Sequence, residues 1–221
     1  VERYWDEMRR YYACIVGKYG VPVQKALQKV GGLDIRTICP THGPVWQERI
    51  GEVVALYDRL SRYEGEPGAV IAYGSMYGNT EQMAEHIARN LAERGVRPIR
   101  MYNLSSADPS VVLRDVFKYD TLVVGSPTYN GDLFPEVEAL LRKIEARGIP
   151  QRTFAAFGSF TWASAAVKHL REFAEKLKWT MCCEPLEMKQ GFDGRYDDAC
   201  DRLADAVAAA DCGKIYLMLG I

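Results

Sequence analysis

From Ala69 onward, short apolar runs alternate with segments of helical periodicity, and this alternation limits the folds open to the chain. The run AVIAYGS (69–75) is almost continuously apolar, as in a strand buried on both faces. Four further strands are predicted at VRPIRMYN (96–103), DTLVVGS (120–126), RTFAAFGS (152–159) and TMCCEPLEM (180–188). A helical pattern follows each strand. The alternation predicts an α/β fold with a doubly wound, five-stranded parallel sheet of order 2-1-3-4-5.

The segment before this alternation has a different pattern. Residues 1–63 show helical stripes and one predicted strand, DIRTIC (34–39), with a long helix predicted from Trp46. A polar stretch with two glycines and a proline, 64–68, predicts a linker. We expect the sheet domain at 69–211, followed by an apolar tail at 212–221. The first residue is Val, which is compatible with a piece of a longer protein.

Charge, apolar run length and cysteine content limit the functions to be expected of the chain. The 221 residues carry a formal net charge of −1, which gives no support for binding to nucleic acid or to a membrane surface. No apolar run reaches the length needed to cross a bilayer. The 6 cysteines show no C-x-x-C spacing and predict reduced thiols, so we expect a cytoplasmic protein.

Polar loops follow the first, third and fourth predicted strands. In a sheet of this order the ligand crevice lies beyond the carboxyl ends of the strands, where these loops meet. We predict that the loops bind a cofactor. The candidate residues are Ser75, Met76, Tyr77, Gly78, Asn79 and Thr80 in the first loop, Ser126, Pro127, Thr128, Tyr129, Asn130 and Gly131 in the second, and Ser159, Phe160, Thr161, Trp162 and Ala163 in the third.

The first loop contains hydroxyl, amide and glycine residues but no cation. Neither Lys nor Arg occurs between Tyr73 and Ile87. A helix N-terminus can bind a phosphate through its unpaired N–H groups and its partial positive charge. The triphosphate-binding pattern G-x-x-x-x-G-K-[ST] and the dinucleotide pattern G-x-G-x-x-G are both absent from this loop. The loop therefore favours a phosphate monoester.

The loops also carry aromatic residues suited to a planar ligand. Tyr77, Tyr129, Phe160 and Trp162 lie in predicted loops rather than on an amphipathic stripe. Flat side chains of this kind can enclose a flat ring. A phosphate anchor beside a planar apolar slot indicates an FMN site.

Three stretches resemble the FMN loops of flavodoxin domains: YGSMYGNTE, VVGSPTYNGDLFP and FGSFTWASAA. They are most similar to those of flavodiiron proteins, and the resemblance covers about 69–210. Upstream, DIRTICPTHGPVW resembles the end of the metallo-β-lactamase-like domain that precedes the flavodoxin-like domain in that family. The resemblance implies that residues 1–63 are the C-terminal remnant of such a domain.

The resemblance also implies an activity for the parent protein. FMN would pass electrons from a rubredoxin-like donor to a diiron centre that reduces dioxygen or nitric oxide, in a homodimer. It places one iron ligand at His42. A dinuclear site needs several His and carboxylate ligands, and the only other histidines are His86 and His169. We therefore expect an electron carrier without a complete metal site and with no catalytic residue of its own.

Two other functions remain open. One is a self-sufficient FMN-dependent NAD(P)H:quinone or azo reductase, which needs a nicotinamide pocket that the sequence does not indicate. The other is a binding module with a vestigial flavin site. Flavin absorbance separates the second from the rest, and reduction by NAD(P)H separates the first from an electron carrier.

Overall fold

A parallel β-sheet forms the centre of the molecule. The computed structural model describes the backbone of residues 2–219 and the side chains of residues 4–211. The strands are Glu66–Tyr73 (β1), Ile99–Asn103 (β2), Tyr119–Pro127 (β3), Thr153–Phe160 (β4), Thr180–Met181 (β5) and Leu186–Lys189 (β6). Their order is β2-β1-β3-β4-β5, with β6 also paired to β4, and every pair is parallel. The predicted order 2-1-3-4-5 is confirmed.

The fifth position of the sheet differs from the prediction. Residues 180–188 were expected to form one strand, but β5 and β6 are separated by residues 182–185. Pro185 has no N–H group to offer the ladder, so pairing with β4 is interrupted there. Cys182 still donates its N–H to the Phe154 carbonyl at 3.0 Å. Cys182 and Cys183 are partly buried against the apolar layer beside the sheet rather than fully enclosed in it.

Helices cover both faces of the sheet. They are Glu2–Tyr11 (α1), Gly20–Val30 (α2), Ile50–Ser61 (α3), Asn79–Glu93 (α4), Pro109–Lys118 (α5), Pro135–Glu145 (α6), Ala166–Leu177 (α7) and Asp197–Leu219 (α8), with a π-helical extension Tyr12–Val16 after α1 and a 3-10 turn Gly194–Tyr196. One apolar layer joins β1 to α4 and α8, and the other joins the sheet to α5, α6 and α7. No helix within the described part of the chain has the length and apolar character to cross a membrane.

The helical N-terminal region packs on the second of these layers. Trp5, Tyr12 and Leu56 are buried in the same apolar cluster as Val112 and Phe117 of α5. Two predictions for this region are wrong. The expected strand 34–39 is reduced to a single antiparallel bridge between Ile38 and Trp46, and the helix expected from Trp46 begins at Ile50.

Both differences, the missing strand and the later start of α3, are explained by the pairing and packing partners of these residues. Most side chains of 34–39 are exposed, and the segment pairs only across this one bridge, so a regular strand is not sustained. Trp46 is instead buried against Trp5, with ring centroids 5.1 Å apart. Arg49 has φ 58°, a left-handed backbone that ends the loop before α3.

The boundary between the two regions is part of the sheet. The predicted linker 64–68 overlaps β1, which begins at Glu66. Gly68 has φ +133° and donates its N–H to Asp211 Oδ1 at 3.1 Å, so its backbone needs glycine and fixes the start of the strand to α8. The predicted tail 212–221 continues α8 as far as Leu219, and its side chains and residues 220–221 lie outside the described residues.

Candidate functional site

The three loops predicted to bind a ligand meet at one edge of the sheet. They follow β1, β3 and β4, which are adjacent in the order of strands. Tyr73 is in register with Gly125, and Pro127 is in register with Ser159. The Thr128 N–H also donates to the Ser159 carbonyl at 2.7 Å. The juxtaposition expected from the strand order is therefore present, whereas ligand binding by the individual residues stays a prediction.

The first loop, 74–80, turns from β1 into α4 through a left-handed glycine. Gly78 has φ +83° and forms the N-cap of α4. Its N–H donates to Ser75 Oγ at 3.1 Å, which closes the loop. Gly74 lies against the Phe134 ring, because an added Cβ would come within 2.5 Å of it. These contacts bring the loop backbone tightly around the start of the helix.

The start of α4 offers N–H groups that the helix does not use. The first backbone bond of the helical ladder runs from the Gln82 N–H to the Gly78 carbonyl at 2.9 Å. The N–H groups of Asn79, Thr80 and Glu81 precede this ladder and have no carbonyl one turn earlier. Below them, the buried hydroxyls of Thr80 and Ser159 are 2.9 Å apart and join the first loop to the third. The arrangement can bind an anion through dipoles and hydroxyls.

The second loop, 126–131, ends in a tight hairpin. Asn130 and Gly131 both have positive φ, 50° and 75°, and the backbones of Tyr129 and Asp132 exchange two hydrogen bonds of 2.9 Å around them. This is the geometry of a two-residue hairpin turn, which favours Asn-Gly. The Asp132 carboxylate accepts the Leu133 N–H at 2.7 Å. The turn leaves Tyr129 43% exposed, with its ring centroid 5.9 Å from that of Phe134.

Two of the hydroxyl groups predicted to contact a ligand, those of Ser126 and Thr128, form hydrogen bonds with backbone groups of the protein. Ser126 is buried; its Oγ accepts the Phe134 N–H at 3.0 Å and donates to the Pro127 carbonyl at 2.9 Å. Thr128 Oγ1 accepts the N–H groups of Ala165 and Ala166 at 3.1 and 3.2 Å. Ser126 therefore shapes the second loop, and Thr128 attaches it to the start of α7.

The third loop, 159–163, carries the most exposed aromatic residue of the site. Phe160 is half-buried at the end of β4, while Thr161, Trp162 and Ala163 are exposed. Trp162 has 92% of its surface exposed, and Tyr77 of the first loop has 84%. Large exposed aromatic side chains at one sheet edge give a surface on which a planar group can stack.

A fourth loop at this edge was not predicted. It follows β6, and the Gln190 N–H donates to the Phe160 carbonyl at 2.8 Å. Gly191 lies beside Asn79, since an added Cβ would be 3.6 Å from the Asn79 amide oxygen. The sequence KQGFDGRY (189–196) carries a signal for this loop, because two glycines and polar residues follow the last predicted strand.

The carboxylate in the first turn of α4, that of Glu81, accepts a hydrogen bond from a tyrosine. Tyr73, at the end of β1, donates its hydroxyl to Glu81 Oε1 at 2.7 Å. Burial, and then the bond to Glu81, raise the pKa of Tyr73, so the phenol keeps its proton at neutral pH. Sequence reasoning missed this pair, because Tyr73 reads as part of an apolar strand.

The candidate iron ligand lies far along the chain from these loops. His42 is exposed, and its ring centroid is 5.4 Å from that of Tyr11. Among the side chains described, no group of three or more His, Cys, Asp or Glu residues could hold a metal ion. The residues around His42 therefore do not by themselves fit a diiron centre.

Comparison with protein families gives one match over most of the sheet region. The family model described as flavodoxin matches residues 71–208. Among curated proteins, a nitric oxide reductase of Moorella thermoacetica is 32% identical over 182 residues, which is 81% of this chain and 45% of that protein. The chain thus spans about half the length of the curated relatives it matches.

Solved structures of similar fold include flavodiiron proteins. Rubredoxin oxygen:oxidoreductase from Desulfovibrio gigas aligns with a TM-score of 0.89 and 26% identity, covering 95% of this chain and 53% of that one. The flavodiiron protein from Giardia intestinalis aligns with a TM-score of 0.88 and 24% identity, covering 97% and 54%. The similarity to these structures includes the helical N-terminal region as well as the sheet.

Proposed function

Since this chain belongs to the flavodoxin family, we propose that its three loops bind FMN and that it carries electrons within a flavodiiron oxidoreductase. The observation that supports this most strongly is the start of α4, where a loop without cations leaves three N–H groups outside the helical ladder. FMN is a phosphate monoester attached to a planar ring, and this edge of the sheet offers a place for each part.

The phosphate would be held by the first loop. Asn79, Thr80 and the loop backbone supply N–H, amide and hydroxyl donors, and the helix dipole favours an anion there. Ser75 keeps the loop closed through its bond with Gly78. Because no Lys or Arg lies between Tyr73 and Ile87, this binding depends on backbone geometry rather than on an ion pair.

The ring would be held by aromatic residues of the three loops. Tyr77, Tyr129 and Trp162 expose apolar surface at the sheet edge, and Asn130-Gly131 fixes the position of the second loop. The bound flavin supplies the electron-transfer chemistry. The chain's own residues bind and orient it and set the polarity around it.

The activity of the whole protein is proposed from its relatives. The names nitric oxide reductase and rubredoxin oxygen:oxidoreductase support nitric oxide or dioxygen as the acceptor and a rubredoxin-like protein as the donor. A diiron centre would then lie mainly on residues outside this chain, with His42 as a ligand contributed from it. A homodimer is part of the same proposal.

Reconstitution tests the flavin site and separates the alternatives. We expect the chain to retain the flavin absorbance bands after incubation with FMN and gel filtration. Riboflavin, which lacks the phosphate, is expected to be retained much less. We expect NAD(P)H to reduce the bound flavin no faster than free FMN. Rapid reduction would favour a self-sufficient reductase, and loss of all flavin would favour a vestigial site.

A further inference from the structure

The carboxylate of Glu81 occupies an unusual position for an anion-binding helix. With Gly78 as the N-cap of α4, Glu81 is the third helical residue. A glutamate at this position commonly reaches back to the N–H of the N-cap residue. That conformation would bring a negative charge to the place where the proposed phosphate binds.

Two contacts prevent this conformation. The Gly78 N–H is already donated to Ser75 Oγ at 3.1 Å, so it does not attract the glutamate. The Glu81 carboxylate instead accepts the Tyr73 hydroxyl at 2.7 Å. Tyr73 is only 5% exposed and lies at the end of β1, so the strand itself fixes the donor.

We propose that Tyr73 is a positioning residue that holds the Glu81 carboxylate away from the helix N-terminus and thereby reserves the N–H groups of that terminus for a phosphate monoester. The inference rests on the proposed flavin site and adds a determinant of its selectivity for a phosphorylated ligand. Tyr73 acts through Glu81 and makes no contact with the ligand in this role.

The consequence is specific to the phosphate. Without the tyrosine hydroxyl, the Glu81 side chain can rotate toward the loop, where its charge repels the phosphate. The flavin ring carries no such charge, so riboflavin binding is unaffected. Removing the charge of Glu81 should cancel the effect of removing the hydroxyl.

The test measures dissociation constants of FMN and riboflavin for the native chain and for Tyr73→Phe, Glu81→Gln and the double variant. Tyr73→Phe is expected to weaken FMN about tenfold and to leave riboflavin within about twofold. The double variant is expected to bind FMN as tightly as Glu81→Gln alone. Tyr102→Phe is the matched control, because Tyr102 of β2 also donates its hydroxyl to a carboxylate, Asp115, at 2.5 Å.

The results distinguish this inference from the flavin site itself. Unchanged FMN binding in Tyr73→Phe, equal weakening of both flavins, or no recovery in the double variant would each overturn the positioning role. Thermal unfolding without flavin checks that the variants fold. If the native chain binds neither flavin, the flavin site is refuted, and the positioning role with it.

Discussion

The sheet region, residues 66–211, and the helical region, residues 2–63, are stabilised by different interactions. Parallel strands pair through their backbones across the whole sheet. The helical region is attached to it by apolar packing and by arginine side chains that bond to backbone carbonyls. Arg147, after α6, donates to the carbonyls of Ala13 and Cys14 at 2.8 Å each.

A second arginine joins both regions from inside the molecule. Arg152 is 2% exposed and donates to the carbonyls of Tyr63, Val116 and Phe117 at 2.8, 3.2 and 3.2 Å. Burial lowers the pKa of Arg152 to about 10, which still leaves it charged at neutral pH. The Arg152 side chain thus donates hydrogen bonds both to carbonyls at the end of α5 and to a carbonyl of the segment before β1.

This contrast between strand pairing in the sheet region and packing of the helical region shows that the helical region depends on partners distant in sequence. The Phe117 ring of α5 lies 6.1 Å from those of both Tyr12 and Tyr63. Gly17 lies against the same ring, since an added Cβ would be 2.7 Å from it. We infer that residues 2–63 keep their arrangement because the sheet region supplies an apolar surface and the donors of Arg147 and Arg152.

Removing Arg152 should have the largest effect on this attachment. Arg152→Met leaves the carbonyls of Tyr63, Val116 and Phe117 without this donor, and we expect the free energy of unfolding to fall by about 3–5 kcal/mol. Urea denaturation measures the change. Arg142→Met is the control: Arg142 is exposed on α6, and we expect a change within about 0.5 kcal/mol. A loss below about 1 kcal/mol for Arg152→Met would contradict the joining role.

Removing Arg147 should loosen only the helical region. Arg147→Met takes away two hydrogen bonds to the π-helical segment, and we expect a loss of about 1–2 kcal/mol. Hydrogen exchange should become faster at the amides of 12–19 and stay unchanged in β3 and β4. Equal acceleration in the strands would show that the two regions open together, and the contrast between them would then fail.

The smallest of these effects on stability is expected from Tyr12→Phe, and it should be an increase. Tyr12 is fully buried, and its hydroxyl has no hydrogen-bond partner in the described part of the structure. Tyr12→Phe removes an unsatisfied polar group without leaving a large cavity, so we expect the free energy of unfolding to rise by about 1 kcal/mol. Tyr19→Phe, at a site 47% exposed, is expected to be neutral. A loss of stability in Tyr12→Phe would indicate that the hydroxyl is satisfied.

Local pattern was enough to predict most of the sheet region. Strands buried on both faces are continuous apolar runs, and this signal does not depend on distant residues. It fails at 180–188, where Pro185 interrupts pairing inside an apolar run. The strand predicted at 34–39 is not sustained by the fold, because Trp46 provides the one bridge that pairs with this segment.

The sequence predicts the three loops of the site, but it does not predict the hydrogen bonds between their side chains. Strand order alone brings the first, second and third loops to one edge. The bonds from Tyr73 to Glu81 and from Thr80 to Ser159 join residues that sequence spacing does not relate, and the fourth loop depends on where β6 ends. These contacts form through tertiary packing between distant segments, so no short stretch of the sequence predicts them.

The most direct test of the account is a comparison of two substitutions in α4 that each lower the net charge by one. Asn79→Asp places a carboxylate at the proposed phosphate site, and an acidic residue in the first turn of a helix is compatible with the helix dipole. Arg89→Gln removes a charge from an exposed position further along the same helix. We predict that Asn79→Asp weakens FMN binding at least about tenfold and leaves riboflavin nearly unchanged, whereas Arg89→Gln alters neither. Native FMN affinity in Asn79→Asp, or an equal loss in Arg89→Gln, would contradict a phosphate held at the start of α4.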